Sequence, residues 1–271
     1  MNKHNLTADN YYQDTDYMSV STVKGYLQCS AYQEAKRKGL WVDLDYNINF
    51  AIGHMFESLL QGEFESRYSQ TPEFEFCMLT KAGKPNADYK KVIEMYNRVK
   101  TDKIFMKYCT GEYEVILVGK IHGVNFKGKI DILNLENGFF SDIKTTRSLG
   151  KFWSDKYKSK VNFYTEYDYW MQLAVYQELI KQNFYKLMWP FLPVCSKTKP
   201  YNYDVLRVEK YTDGTYHEIL AEKLEELQFT LQDIDAIKNG EKEAERCEQC
   251  AYCVSTFELK ETSLMEQDYF E

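Results

Sequence analysis

Gly128-Lys129-Ile130-Asp131-Ile132-Leu133-Asn134-Leu135-Glu136-Asn137-Gly138-Phe139-Phe140-Ser141-Asp142-Ile143-Lys144 reads as an apolar run, a turn and a second apolar run. Asn-Gly between such runs is a strong hairpin signal, because both residues accept positive φ. Strand side chains alternate faces, so Asp142 and Lys144 share a face and Ile143 points away. A loop at Asn137-Gly138 puts Asp131 opposite Lys144. A loop at Glu136-Asn137 puts Asp131 opposite Asp142. In either register the three charges lie on one face within roughly 5–8 Å of one another. Two carboxylates and a lysine so placed can hold a divalent cation and order a water. The lysine can hold or deprotonate that water, or offset developing charge. The plain alternative is a surface salt bridge on a hairpin.

Flanking segments supply the rest of an α/β (α+β) chain with a central mixed sheet flanked by helices. Upstream, helices are expected over 19–38, 48–68 and 87–107, with Cys29 inside the first. A meander over 114–118, 124–135 and 138–144 follows, then a basic segment over 145–160. A helix over 161–183, strands over 186–194 and 203–208, and an amphipathic helix over 213–238 complete the order. Residues 1–18 read as a polar, mobile lead-in. Residues 19–245 form the main domain, and 246–271 form a cysteine-bearing C-terminal segment.

The chain has 271 residues, 44% of them hydrophobic, enough for a core. Its net charge of −7 argues against a protein that coats nucleic acid non-specifically. It leaves room for a metal-dependent nuclease, whose acidic ligands cost net charge. No uncharged apolar run reaches membrane-spanning length, so no membrane association is expected. The N-terminus has no apolar leader, which places the protein in the cytoplasm. Seven cysteines in such a chain do not read as a disulfide framework.

Three further constellations stand out. His54 and Glu57 lie at i, i+3 on one helix face and can point at one site; a histidine tucked into a helix contact is the bland alternative. Gln172 and Tyr176, at i, i+4, present a carboxamide and a phenol along one line. Cys247, Cys250 and Cys253 can converge on one metal or cluster, with Cys29 as candidate fourth ligand. Such a staple would pin the C-terminal segment to the first helix. Zn²⁺ and a [4Fe–4S] cluster both fit four thiolates.

Taken in order, Gly53-x-x-x-Glu57 with His54, Gly128-Lys-Ile-Asp131, Asp142-Ile-Lys144 and Gln172-x-x-x-Tyr176 resemble the PD-(D/E)XK nuclease superfamily, in its RecB/RecE-like exonuclease branch. The cysteines look like those of phage exodeoxyribonuclease-VIII-like proteins and CRISPR-associated RecB-like exonucleases. Two departures are visible: the last cysteines are closer together than in the iron–sulfur relatives, and no Pro-Asp dipeptide leads the hairpin. The resemblance implies a restriction-endonuclease-like core and a metal-dependent deoxyribonuclease, an exonuclease rather than an endonuclease. It implies a Mg²⁺ or Mn²⁺ ion held by His54, Asp131, Asp142 and the Ile143 carbonyl, with Lys144 catalytic and Glu57 participating. Gln172 and Tyr176 would support the site, and Arg147 and Lys151 would meet DNA backbone. A [4Fe–4S] cluster, with Zn²⁺ as alternative, would sit on Cys29, Cys247, Cys250 and Cys253. DNA ends or single strands would be the substrate in phage-type recombination, repair or processing, with a recombination or repair protein as further partner. The competing expectation is a non-catalytic binding module that keeps the nuclease fold.

Overall fold

The computed structural model describes residues 5–43, 46–208 and 218–259. A six-stranded mixed sheet, in the order β1-β2-β3-β7-β4 with β8 also on β7, forms the middle layer. The strands are β1 (Glu112–Ile121), β2 (Val124–Asn134), β3 (Phe139–Ser141), β4 (Lys144–Thr146), β7 (Trp189–Ser196) and β8 (Tyr203–Arg207). A separate two-stranded hairpin joins β5 (Phe152–Ser154) to β6 (Ser159–Val161). Helices α1 (Val20–Gln28), α8 (Tyr169–Phe184) and α9 (Glu218–Lys238) cover one face; α3 (Ile48–Gln61), α4 (Pro72–Met78), α5 (Ala87–Val99) and α6 (Lys103–Tyr108) cover the other. Short helices α2 (Ser30–Arg37), α7 (Phe163–Glu166) and α10 (Ala251–Ser255) complete the set.

The central hairpin takes the register in which Ile132 pairs Ser141 and Leu133 pairs Phe140. Continued by one residue, this sets Asp131 opposite Asp142. Pairing with β2 ends at Ser141; the strand lapses over Asp142-Ile143, where the Asp142 N–H still donates to the Phe191 carbonyl at 3.0 Å, and resumes on β7 at Lys144. Both pieces run parallel to β7 in one continuous register, from Phe139↔Trp189 to Thr146↔Ser196. β3 and β4 are thus one strand with a two-residue interruption. Ile143 is buried in the cluster with Met55, Phe56 and Ile132.

Several expected elements divide where a cap intervenes. The helix expected over 19–38 breaks at Cys29, which leaves helical geometry at φ −164° and caps α2 with its sulfur, accepting from the Tyr32 N–H at 3.4 Å. α2 folds back closely, with Gln33 where a side chain on Gly25 would sit. Burial alone would raise Glu34, but hydrogen bonds from Arg37, Tyr26 and Lys38 hold it down to about 2, bracing this corner. α3 stops at left-handed Gly62 rather than continuing to 68. Asp102 caps α6 and divides the expected 87–107 helix. Asp168, in the left-handed region at φ 50°, separates α7 from α8. The basic segment over 145–160 holds β4 and the β5–β6 hairpin. The first part of the helix expected over 213–238 lies outside the described residues, as do 1–4 and 260–271.

Residues 5–18 do not stand off as a free lead-in. Met18 bridges Phe126, Tyr11 is buried, and the buried Lys127 ammonium donates to the Tyr11 and Asp14 carbonyls at 2.5 and 2.7 Å. A buried lysine in place of an apolar residue on β2 demands such partners.

α8 reaches the sheet at Gly128. A Cβ there would lie 2.9 Å from Leu179 Cδ1 and 3.1 Å from Tyr176 Cε1. Gly128→Val is therefore expected to destabilise the fold by about 2 kcal/mol through overpacking. Thermal denaturation reads this, and an unchanged midpoint would mean that α8 retreats freely.

Candidate active site

The strand interruption builds the site. With its ladder broken, the Ile143 N–H donates to Asp131 Oδ2 at 2.8 Å instead of to a strand neighbour. Asp142 is 1% exposed and Asp131 14%. The Lys144 ammonium, on the first residue of β4, pairs with Asp142 Oδ2, lies 4.0 Å from Asp131 Oδ2 and donates to the Ile143 carbonyl at 3.1 Å. Asp131, Asp142, Ile143 and Lys144 thus meet within one ammonium's reach.

α8 supplies the next side chains. Gln172 Nε2 donates to Asp142 Oδ1 at 2.8 Å and lies 3.3 Å from the Tyr176 hydroxyl. Gln172 therefore holds one carboxylate oxygen, and Tyr176 backs Gln172. α3 contributes Glu57, whose charge acts on Asp131, and His54 one turn earlier. The His54 ring touches Glu73, not the two aspartates: Nδ1 lies 2.8 Å from Glu73 Oε2, which also accepts from the Tyr68 hydroxyl at 3.0 Å. Burial would lower His54, but Glu73 outweighs it and the imidazole ends above its usual range.

Burial pushes Asp131 well above the carboxylate range, with the charges of Glu57 and Asp142 adding to it. Burial raises Glu57 too, against the pull of Lys144 and Lys129. Burial opposes the charge on Lys144, yet Asp142 and Asp131 hold it firmly cationic. Among the described residues only Lys144 forms an ion pair with these carboxylates, since Lys129 is committed to Glu114 at 2.7 Å. Asp142 Oδ2 is buried, and the Lys144 ammonium is its one partner among the described residues. A group of buried oxygens with surplus negative charge fits a hard divalent cation.

Three residues at the site escaped the sequence reading. Lys24 on α1 donates to Gln172 Oε1 at 3.4 Å and lies 4.9 Å from the Tyr169 ring centre; Lys144 lies 5.2 Å from the same ring. Burial, reinforced by Lys144, lowers Lys24 to about 8. A lone lysine among the apolar positions of α1 was the available signal for Lys24. Tyr169 is one aromatic among 23 tyrosines, and Glu73 shares no spacing with His54. Arg147 and Lys151 lie beyond the site on exposed backbone, with no ion pair among the described residues.

A second cluster lies at the α1–α2 corner. The sulfurs of Cys29, Cys247, Cys250 and Cys253 all lie within 4.8 Å of one another. Cys29 Sγ is 3.5 Å from Cys253 Sγ and 3.8 Å from Cys250 Sγ, and Cys247 to Cys253 is 4.0 Å. Backbone N–H groups of Gln249 and Cys250 lower Cys247 to about 6, the thiolate form a metal takes. The main-chain groups of Glu245 fasten the C-terminal segment there as well: Ala31 N–H donates to the Glu245 carbonyl at 3.0 Å, and Glu245 N–H to the Ser30 hydroxyl at 2.8 Å.

An α/β/α sandwich with an Asp and an Asp-x-Lys meeting at an interrupted central strand defines a PD-(D/E)XK nuclease fold. The chain belongs to the family described as PDDEXK-like domain of unknown function (DUF3799), whose model matches residues 19–256. A crystal structure of a Eubacterium rectale protein described as a candidate exonuclease is similar, at a TM-score of 0.84 and 27% identity over 97% of each chain. The crystal structure of SSO0001 aligns over 86% of this chain and 92% of its own with a TM-score of 0.30 and 14% identity, too distant to inform the site. No curated protein matches the sequence. No helix among the described residues is long and apolar enough to cross a membrane.

Proposed function

We propose that the protein is a metal-dependent DNA exonuclease acting at the Asp131–Asp142–Lys144 site. The observation that carries this reading is the excess of buried carboxylate over ammonium there. The similar Eubacterium rectale protein, described as a candidate exonuclease, supports the same class. Asp131, Asp142 and the Ile143 carbonyl would hold Mg²⁺ or Mn²⁺, with His54 and Glu57 completing the set. When bound, such an ion acidifies water and offsets charge on a phosphoryl oxygen.

The chain's own groups then do the following. Lys144, kept protonated, donates hydrogen bonds to the attacking water or to a non-bridging phosphate oxygen, and does not act as base. Gln172 fixes Asp142 through Oδ1 and leaves Oδ2 for the site. Lys24 brings a second cation over Tyr169 toward the substrate phosphate. Glu73 holds the Nδ1 side of His54 and presents Nε2 as ligand, the outer partner that metal-binding histidines use. Glu73→Gln is expected to weaken Mn²⁺ affinity by about 10–100-fold. A metal titration followed by electron paramagnetic resonance checks this, and unchanged affinity would remove His54 from the ligand set.

At the cysteines, a single tetrahedral ion with metal–sulfur bonds of about 2.3 Å needs sulfurs roughly 3.8 Å apart. The spacing found favours Zn²⁺; a four-iron cube would hold its thiolates further apart.

The test is digestion of end-labelled linear DNA and closed circular DNA with added Mg²⁺ or Mn²⁺. Linear DNA degraded with circular DNA spared supports the exonuclease. Cleavage of both means an endonuclease using the same groups. Cleavage of neither under either metal overturns the enzymatic reading in favour of a binding module.

A further inference from the structure

The β5–β6 hairpin lies outside the central sheet and has no task in the reading above. Its charge runs against that of the chain. Residues 147–160 hold Arg147, Lys151, Lys156, Lys158 and Lys160 against the single Asp155, in a protein of net charge −7. All but Lys156 of these cations lack an ion pair among the described residues, and all are exposed. Two aromatic side chains stand out from the same hairpin: Trp153 is 59% exposed and Tyr157 41%. The Trp153 indole N–H donates to Asp155 Oδ1 at 3.2 Å, which fixes the ring by its edge. A single exposed aromatic on a surface carries no message. Two of them interleaved with unpaired lysines form the stacking-and-phosphate surface that unpaired nucleic acid requires.

The hairpin is also fastened beside the candidate active site. Its turn is pinned by the Tyr157 N–H donating to the buried Ser154 hydroxyl at 3.1 Å. The Lys156 ammonium pairs with Asp168 at 3.0 Å, and the Tyr157 hydroxyl lies 3.5 Å from the Thr165 carbonyl. Asp168 immediately precedes Tyr169, whose ring is the one Lys144 and Lys24 both approach. A strand held along the hairpin therefore leads toward Lys144.

We infer that the β5–β6 hairpin binds single-stranded DNA next to the cleaved bond, stacking bases on Trp153 and Tyr157 and meeting phosphates with Lys158 and Lys160. This rests on the nuclease reading of the adjoining site. Stacking needs bases freed from a duplex, so the hairpin prefers an unpaired end to a blunt one.

Binding is measured by fluorescence anisotropy of labelled oligo(dT) without added divalent metal, so that it does not depend on cleavage. Trp153→Ala is expected to weaken binding about tenfold, with Trp153→Phe restoring it, and to have little effect on an abasic oligomer. The Lys158→Asn/Lys160→Gln double variant keeps a residue tolerant of the left-handed backbone at 158 and should flatten the salt dependence by about 1.4 log units per log unit. Oligo(dT) binding unchanged in both variants, or none by the wild type, overturns the proposal. Wild-type cleavage that the variants leave untouched removes the hairpin and keeps the nuclease. Hairpin-dependent binding without any cleavage keeps the hairpin and removes the nuclease.

Discussion

Lys144→Ala and Asp131→Asn, made separately, are each expected to lower metal-dependent DNA cleavage by about a thousandfold or more. Among the described residues Lys144 is the one ammonium meeting both aspartates, so its loss removes the donor aimed at the reacting groups and leaves carboxylates that repel the phosphate. Asp131→Asn keeps an acceptor for the Ile143 N–H and so spares the backbone turn, while removing a ligand charge. Stability separates lost chemistry from lost folding. Burial first, then Glu57 and Asp142, raise Asp131 in the folded chain. An acid whose folded pKa lies above its unfolded one binds more protons when folded. Its ionised form therefore costs stability at pH above the folded pKa, and the cost is relieved as pH falls below it. Without added metal, Asp131→Asn should thus melt at or above the wild-type midpoint at neutral pH, and the gap should close in acid. A variant that is inactive but less stable would point to misfolding; full activity in either variant would dismiss this site.

Cys253→Ser should weaken the binding of the ion proposed for the cysteines and lower the thermal midpoint by about 10 °C. The side chain is fully buried between Cys29 and Cys247, so serine offers a poorer ligand in a place that water does not reach. A structural zinc site supplies about 10–16 kcal/mol to the fold that makes it, and losing one ligand of four removes roughly 3. For a chain of this size that is about 2–4 °C per kcal/mol. The hydrogen bonds between Glu245 and the start of α2 would hold part of the segment in place, which keeps the loss partial. Elemental analysis gives the companion reading: one zinc per chain in the wild type and less in the variant. Four irons with absorbance near 400 nm would assign the cluster instead. No metal and an unmoved midpoint would leave four unligated thiols.

The central hairpin was legible because its information is local. An Asn-Gly turn between two apolar runs narrows the register to two choices, and both bring Asp131, Asp142 and Lys144 to one face. Choosing between them needs β7, a strand some fifty residues further on whose parallel ladder sets the position of both halves of the partner strand. The break at Cys29 was hidden because a thiol is an unusual helix cap; apolar periodicity runs through it without a mark. The β5–β6 hairpin shows in the sequence only as a basic segment, because strands of three residues have no alternation to detect. Lys24, Tyr169 and Glu73 reach the site only through the packing of α1, α8 and α4, which no spacing in the chain records. The cysteines were the opposite case: rare residues at tight spacing, with Cys29 the early partner available to a late trio.

The interruption between β3 and β4 has a consequence for what this chain can tolerate. The ladder on β7 resumes after Asp142-Ile143 as though no gap existed. The two residues between the strands, of which Asp142 still donates its N–H to the Phe191 carbonyl at 3.0 Å, are therefore counted by the sheet. Deleting one would rotate β4 by a half-period, send Lys144 to the face now held by Thr145, and turn Thr146 out of the interior. The single residue between Asp142 and Lys144 is thus a metrical requirement of the parallel ladder as much as of the chemistry, and the motif cannot lengthen or shorten without the sheet losing its place.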